Sequence, residues 1–111
     1  MDVAAEPIAV VYQAADGCPR QEDFVAQITA RTTRTRMAGP GEPARRFDVW
    51  IARTEDGGHV GTLRVDDLEG RSTSREIDGA TCEEVVSALA LVTALTIDPD
   101  ASTAAVATPA P

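Results

Sequence analysis

The two cysteines of this 111-residue chain are the residues best suited to chemistry, because each lies at a predicted helix start. Cys18 precedes Pro19, a residue that is favoured in the first turn of a helix. Cys82 follows Thr81 and precedes two glutamates, whose charges are favoured near a helix N-terminus. Such a pair can form a disulfide, act as reactive thiols, or supply two metal ligands. We predict the disulfide.

A disulfide between Cys18 and Cys82 fits the expected arrangement of the two helices. Both helices are expected to cross one face of a sheet with their N-termini at the same end, which allows the separation of about 5.5 Å between α-carbons that a disulfide needs. Closing a loop of about 65 residues stabilises a fold by about 4 kcal/mol in the chain-entropy model. Because disulfides persist in oxidising compartments, this pairing predicts a periplasmic or otherwise extracytoplasmic location.

Three alternatives to the disulfide stay open on the sequence alone. Either cysteine could be the nucleophile of a small thiol-dependent enzyme, although the chain has no Cys-x-x-Cys motif and Arg20 is the only adjacent base. Both could instead be inert buried thiols. A zinc site is disfavoured, because the cysteines and the sole histidine, His59, are widely separated and do not match structural zinc spacing. We therefore predict no metal and no cofactor.

Other candidates for catalysis are few. His59 lies beside a Gly-Gly turn and is expected to be a solvated hairpin residue. The acid pairs at positions 66–67 and 83–84 are expected in a turn and at a helix N-terminus, where carboxylates are favoured. The chain contains no Gly-x-Ser-x-Gly and no His-Glu-x-x-His motif. We predict no catalytic residue and no enzymatic activity.

The charge balance of the chain disfavours two classes of partner. Eighteen acidic and ten basic residues give a net charge of −8. Nucleic acids and anionic membrane surfaces bind mainly through Lys and Arg, so neither is an expected partner. The longest strongly apolar run, at residues 85–97, is too short to span a bilayer. No signal-peptide pattern precedes the first predicted strand, so export implies that this chain starts after a cleavage site.

The predicted order of elements is β-α-β-β-β-α. Strands are predicted at residues 8–12, 46–53, 59–66 and 71–78, and helices at residues 18–31 and 82–96. Thr81 and Glu84 have the spacing of a capping box at the second helix. Two amphipathic helices need a common apolar surface. The predicted fold class is therefore α+β, a two-layer sandwich in which a four-stranded mixed sheet carries both helices on one face.

The length of the chain fits a single domain. Residues 8–100 contain all of the predicted strands and helices and form this α+β domain. Residues 1–7 are expected to be a flexible N-terminus. Residues 101–111 are rich in Ala and Pro and are expected to be a linker or a disordered tail.

Four residues are candidates for binding a partner, namely Trp50, Arg64, Arg71 and Arg75. Period-two alternation places Trp50 on the sheet face opposite the helices, where a large aromatic side chain can anchor a partner. Alternatively, Arg64 and Thr62 on the next strand could cover Trp50. Residues 71–78 are mostly polar and predict an edge strand, which could pair with a strand of another protein.

Several segments resemble an uncharacterised group of exported bacterial domains. These segments are Gly17-Cys18-Pro19, Phe47-Asp48-Val49, the Gly-Gly hairpin, residues 82–91 and Ile97-Asp98-Pro99-Asp100. Over residues 8–100 the chain is similar to N-terminal periplasmic domains of GC-rich predatory and soil bacteria, which are followed by Pro/Ala-rich linkers. This resemblance implies export and a domain of a longer chain, and it transfers no activity. In element order the chain is also similar to the C-terminal domains of TonB and TolA proteins, which bind partners by strand addition, although the final strand of TonB domains is missing here.

These observations lead to three hypotheses about function. The first is a non-catalytic periplasmic domain, held together by the disulfide, that binds a protein or a cell-envelope component. The second is a small thiol-dependent enzyme. The third is a folded structural spacer within a larger exported protein.

Overall fold

A computed structural model describes residues 5–101 as seven elements that form one sheet and two helices. The elements are β1 (Glu6–Ala14), α1 (Gln21–Arg31), β2 (Thr35–Met37), β3 (Arg45–Arg53), β4 (His59–Asp66), β5 (Ser72–Gly79) and α2 (Cys82–Ile97). The strand order in the sheet is β2-β1-β3-β4-β5. β1 is parallel to β2 and β3, whereas β3, β4 and β5 form an antiparallel meander. The predicted α+β class, with a mixed sheet and two helices, is confirmed.

The sheet has five strands, so the predicted four-stranded sheet and the order β-α-β-β-β-α are wrong. The additional strand, β2, lies in the segment between the first predicted helix and the strand at residues 46–53. It spans three residues, which is shorter than the four to eight residues over which alternation can be recognised. β2 forms because its flanks pair with β1: the Glu6 N–H donates to the Arg34 carbonyl, and the Ala38 N–H donates to the Ile8 carbonyl.

The two faces of the sheet differ, as the alternation in β3 and β4 predicts. Phe47, Val49 and Ile51 of β3 point toward the helices and are buried, as are Leu63 and Val65 of β4. On the opposite face, residues of β3, β4 and β5 are largely exposed, since no helix of the described chain covers it. The sheet therefore presents one face to the core and leaves the other uncovered.

Helix α2 lies directly over β4 and β5, and a glycine permits this close approach. A Cβ atom at Gly61 would lie 2.5 Å from Val85 Cγ1 and 2.7 Å from Leu89 Cδ1. Val85 and Leu89 are fully buried, so each side chain would have to shift within a packed core. Gly61 is therefore required for the packing of α2 on the sheet, not for an unusual backbone conformation.

The two helices are linked near both ends. The Cys18–Cys82 disulfide joins the segments at their N-termini. At their C-termini, the Thr32 hydroxyl donates to a carboxylate oxygen of Asp98 at 2.7 Å, and both residues are buried. Arg34 lies 3.5 Å from the other oxygen of the same carboxylate. Since Thr32 and Asp98 are the C-caps of α1 and α2, the helices run in the same direction, side by side.

The first strand starts before residue 8, its predicted start. β1 begins at Glu6, so two residues of the segment expected to be flexible belong to the sheet. Glu6 is held there by the guanidinium of Arg45, at 2.7 Å, and its carbonyl accepts from Thr35. The predicted tail at residues 101–111 lies outside the described residues, except for Ala101, which is buried against the core.

We expect the substitution Gly61→Ala to lower the free energy of unfolding by about 1–3 kcal/mol, the usual range for an overpacked core. A Gly-to-Ala change gains at most about 1 kcal/mol through the unfolded state, so the steric cost decides the sign. Urea unfolding measures the effect. Gly39→Ala is the matched control, since its nearest neighbouring atom would be 3.9 Å away. A Gly61→Ala variant as stable as the wild type would contradict the packing of α2 on β4.

We also expect the contribution of Asp98 to stability to depend on pH. The hydrogen bond from Thr32, the Asp100 N–H and the nearby Arg34 lower the pKa of Asp98 from its ordinary value of 3.8, against the opposing effect of burial. A lowered pKa in the folded state stabilises the protein above 3.8, and this stabilisation is lost as the pH falls through the lowered value.

The measurement compares the unfolding free energies of wild type and Asp98→Asn at neutral and acidic pH. The variant should be less stable at pH 7, and the difference should shrink as the pH falls below 3.8. Glu55→Gln, in an exposed turn, is the control and should stay within about 0.5 kcal/mol of the wild type. A difference that is constant across this range would show that the charge of Asp98 contributes nothing.

Candidate functional site

The predicted disulfide between Cys18 and Cys82 is confirmed, with α-carbons 5.5 Å apart. Cys82 is the first residue of α2, as predicted, and it is buried. Cys18, predicted as the first residue of the helix at 18–31, lies three residues before α1, which starts at Gln21. The bond lies where the segments entering the two helices meet. We call this region, with the adjoining β3–β4 turn, the disulfide end of the sheet.

The segment that carries Cys18 is held by β1 and by its own turn. Gly17 has a φ of 86°, a conformation that glycine adopts without strain, and the Cys18 N–H donates to the Ala15 carbonyl. The Tyr12 hydroxyl donates to the Pro19 carbonyl at 2.6 Å. Burial, with a contribution from Asp23, raises the pKa of Tyr12, so the phenol keeps the proton that it donates.

Cys82 is positioned by a cap that differs in one bond from the predicted capping box. The Thr81 hydroxyl accepts from the Glu84 N–H at 3.2 Å, as expected. The Glu84 carboxylate accepts from the Ala80 N–H, one residue before the position that a capping box uses. Both bonds fix the first turn of α2 and thereby the direction of the Cys82 side chain.

His59 joins the two cysteines at the disulfide end. A ring nitrogen of His59 and the two sulfur atoms all lie within 4.8 Å of one another. The Nδ1 atom of His59 is buried and has no hydrogen-bond partner among residues 5–101. His59 is half-buried, so the expectation of a solvated hairpin histidine is wrong for this ring atom. The three side chains are widely separated in sequence and are neighbours in the structure.

The register of the sheet explains why His59 reaches the disulfide. His59 starts β4 and pairs with Arg53 of β3 and Gly79 of β5. Gly79 is three residues before Cys82, so the register brings the start of β4 next to the start of α2. The turn that precedes His59 is fixed by Asp56, whose carboxylate accepts from the Gly58 N–H at 3.2 Å and from the Thr54 hydroxyl.

Two open depressions flank the disulfide end. One, of about 450 Å³, is lined by His59, Asp56, Asp78 and the neighbouring glycines. The other, of about 470 Å³, is lined by Cys18 and the residues on either side of it. The hydrogen bonds from Thr54 and Gly58 lower the pKa of Asp56, which keeps this carboxylate ionised at the rim of the first depression. Solvent thus reaches the region from two sides.

Trp50 is exposed on the uncovered face of the sheet, with 68% of its surface accessible. Arg64 does not cover it. Its guanidinium instead donates to Asp66 at 3.1 Å and to the Ser72 hydroxyl at 3.3 Å. Trp50 is therefore exposed on the sheet face and is not covered by its neighbours.

The other two predicted interaction residues lie elsewhere. Arg71 lies in the turn before β5, and Arg75 points to the helix side of β5. There it lines a depression of about 320 Å³ together with Val92, Leu95 and Thr96 of α2. The four candidates, Trp50, Arg64, Arg71 and Arg75, therefore do not form one surface.

Comparison with protein-family models and with curated protein sequences finds no match to this chain. The resemblance to exported bacterial domains therefore stays a prediction. Within residues 5–101, neither helix has the length and hydropathy needed to cross a bilayer.

We expect reduction of the disulfide to lower the free energy of unfolding by about 4 kcal/mol. The disulfide joins residues 64 positions apart, and once it is broken it no longer restricts the unfolded chain. Urea unfolding with and without a dithiol reductant measures this loss. The double variant Cys18→Ala/Cys82→Ala is the control, and its stability should not respond to reductant. Equal stabilities of the oxidised and reduced wild type would contradict this account of the link.

Proposed function

We propose that this chain is a non-catalytic protein-binding domain of an extracytoplasmic compartment, which takes up an extended segment of its partner at the free edge of β5. The observation that carries the proposal is the position of β5, an eight-residue strand at the end of the sheet that has no neighbour on its outer side within residues 5–101. Edge strands bind extended peptides by adding them to the sheet. The opposite edge, β2, is only three residues long and offers much less backbone.

The hydrogen-bond alternation of the meander identifies the outward-pointing backbone groups of β5. The Asp67 N–H donates to the Arg71 carbonyl at the start of the β4–β5 pair. Because bonded and non-bonded pairs alternate along antiparallel strands, the groups directed away from β4 belong to every second residue that follows. These residues are Ser72, Ser74, Glu76 and Asp78. A partner strand would bond to them.

The side chains beside this edge indicate the chemistry of the partner. Glu76 and Asp78 lie on the uncovered face and favour basic residues of an added strand. On the helix side, Val92 and Leu95 lie half-buried beyond β5 and favour apolar residues. Since side chains of a strand alternate between the two faces, the matching partner segment alternates basic and apolar residues. The net charge of −8 also favours a basic partner segment.

The disulfide supports the proposed location. Both sulfur atoms are joined, and disulfides form and persist mainly in oxidising compartments. The alternative of a thiol-dependent enzyme needs a free thiolate, which this structure provides only after reduction. It stays a hypothesis, as does the structural spacer.

The test uses an eight-residue peptide of alternating Arg and Val and a control peptide in which Glu replaces Arg, each titrated into the domain by calorimetry. We expect the Arg-Val peptide to bind at least about 10-fold more tightly than the Glu-Val peptide, because a change of 1.4 kcal/mol is tenfold in affinity and several charges are reversed. Equal affinities, or no binding of either peptide, would contradict the proposal.

Ser74→Pro and Ser74→Ala locate the binding site. Proline at this position removes an outward N–H without removing a bond to β4, so it should abolish binding and preserve the fold. The alanine variant keeps the N–H and should bind as the wild type does. Trp50, the only tryptophan, reports on the uncovered face. Its emission should not change on binding at the edge, and a blue shift would place the peptide on the face instead.

A further inference from the structure

We propose that Cys18, Cys82 and His59 form a zinc site once the disulfide is reduced, so that a metal ion replaces the covalent bond at the disulfide end. The two thiolates and one imidazole nitrogen would supply three ligands, and water the fourth. This donor set is one of the combinations that zinc sites use, with an open position for a further ligand.

The distances between the three side chains suit tetrahedral zinc. Bond lengths of about 2.3 Å to sulfur and about 2.0 Å to nitrogen imply separations of about 3.8 Å between the sulfurs and about 3.5 Å between sulfur and nitrogen. The ring nitrogen lies no more than 4.8 Å from either sulfur, so it needs to approach by at most about 1.3 Å. The backbones already support a short separation, since the α-carbons of the cysteines are 5.5 Å apart.

The unpartnered Nδ1 of His59 is the second observation that indicates a ligand. A buried polar atom without a hydrogen bond costs free energy, and native proteins contain few of them. A metal ion bound by the imidazole would remove this cost, either by taking Nδ1 itself or by turning the ring. The surroundings favour a cation, because Asp56 and Asp78 line the adjoining depression. That depression also gives the ion a path from solvent.

The redox step balances with a dithiol reductant. The dithiol gives two electrons and two protons to the Cys18–Cys82 disulfide, the sulfur–sulfur bond breaks, and the reductant becomes a disulfide. Zn²⁺ then replaces one proton on each of the two thiols, so that two protons are released for each ion bound. The N-terminus of α2 stabilises the negative charge that develops on the Cys82 sulfur.

The experiment reduces the protein with a dithiol, removes the dithiol by anaerobic desalting, and titrates Co²⁺ as a spectroscopic probe followed by Zn²⁺. We expect one Co²⁺ per reduced chain, with thiolate-to-cobalt charge-transfer absorption and its displacement by Zn²⁺. The oxidised chain should show none of this absorption. A reduced chain that keeps its circular dichroism spectrum yet binds no Co²⁺ would overturn the proposal.

Two variants assign the ligands. His59→Gln should weaken binding by more than about 100-fold, which exceeds the cost of about 10- to 100-fold for losing an outer-shell contact. Glu55→Gln, in the exposed turn before His59, should bind as the wild type does. Equal affinities of wild type and His59→Gln would overturn the assignment of His59.

Unfolding of the reduced chain also gives a decisive result. Metal binding to the folded state alone stabilises that state by mass action. Zn²⁺ should therefore raise the free energy of unfolding of the reduced wild type, measured in urea, and raise that of reduced His59→Gln much less. If Zn²⁺ stabilises neither, or stabilises both equally, the three-ligand site does not exist.

Discussion

The covalent bond between Cys18 and Cys82 fixes how the helical layer sits on the sheet. The strands that lead into the two cysteines, β1 and β5, are not neighbours, since β3 and β4 lie between them. The bond therefore connects two distant parts of the sheet through the starts of α1 and α2. With the Thr32–Asp98 hydrogen bond at the other end, it leaves the helices no freedom to slide past one another.

This constraint explains why the helices cover one face of the sheet and leave the other face uncovered. Both helices are committed to the face that carries Phe47, Val49 and Leu63, and the connections between elements are too short for either to reach the opposite face. The uncovered face thus keeps Trp50 in solvent. The same arrangement leaves β5 at an edge, with α2 overhanging one side of it and two carboxylates on the other.

The sequence predicted the long elements well, because they carry their own patterns. The alternation in β3 and β4 was long enough to identify both strands and the direction of Phe47, Val49 and Ile51. β2 could not be identified in this way, since a three-residue strand is defined by its backbone bonds to β1 and not by its side chains. The start of α1 was misplaced by three residues, because Cys18 and Pro19 lie in the approach to the helix and Arg20 is its N-cap.

At the disulfide end, the sequence predicted the two cysteines and missed His59. The disulfide could be inferred because both cysteines lie at predicted helix starts and because disulfides are common in proteins of oxidising compartments. His59 could not, because its distance from the sulfurs depends on the register of β4 with β5, which places it opposite Gly79. The one sequence signal was its position at the end of a Gly-Gly hairpin, where a core-facing strand begins. Likewise, the exposure of Trp50 depended on whether Arg64 had better partners, and Asp66 and Ser72 provide them.

The parallel, side-by-side packing of α1 and α2 has a consequence for the order of events during maturation. Along the backbone these helices are among the most distant neighbours in the domain, with their N-terminal cysteines 64 residues apart. Once the sulfurs are joined, both helices extend from a single branch point, and their contacts become as local as those of a helical hairpin. Because the entropy of loop closure delays distant contacts, an oxidase that acts on the collapsing chain would turn a slow, non-local topology into a fast, local one. The timing of disulfide formation would then set the pace of assembly as well as the final stability.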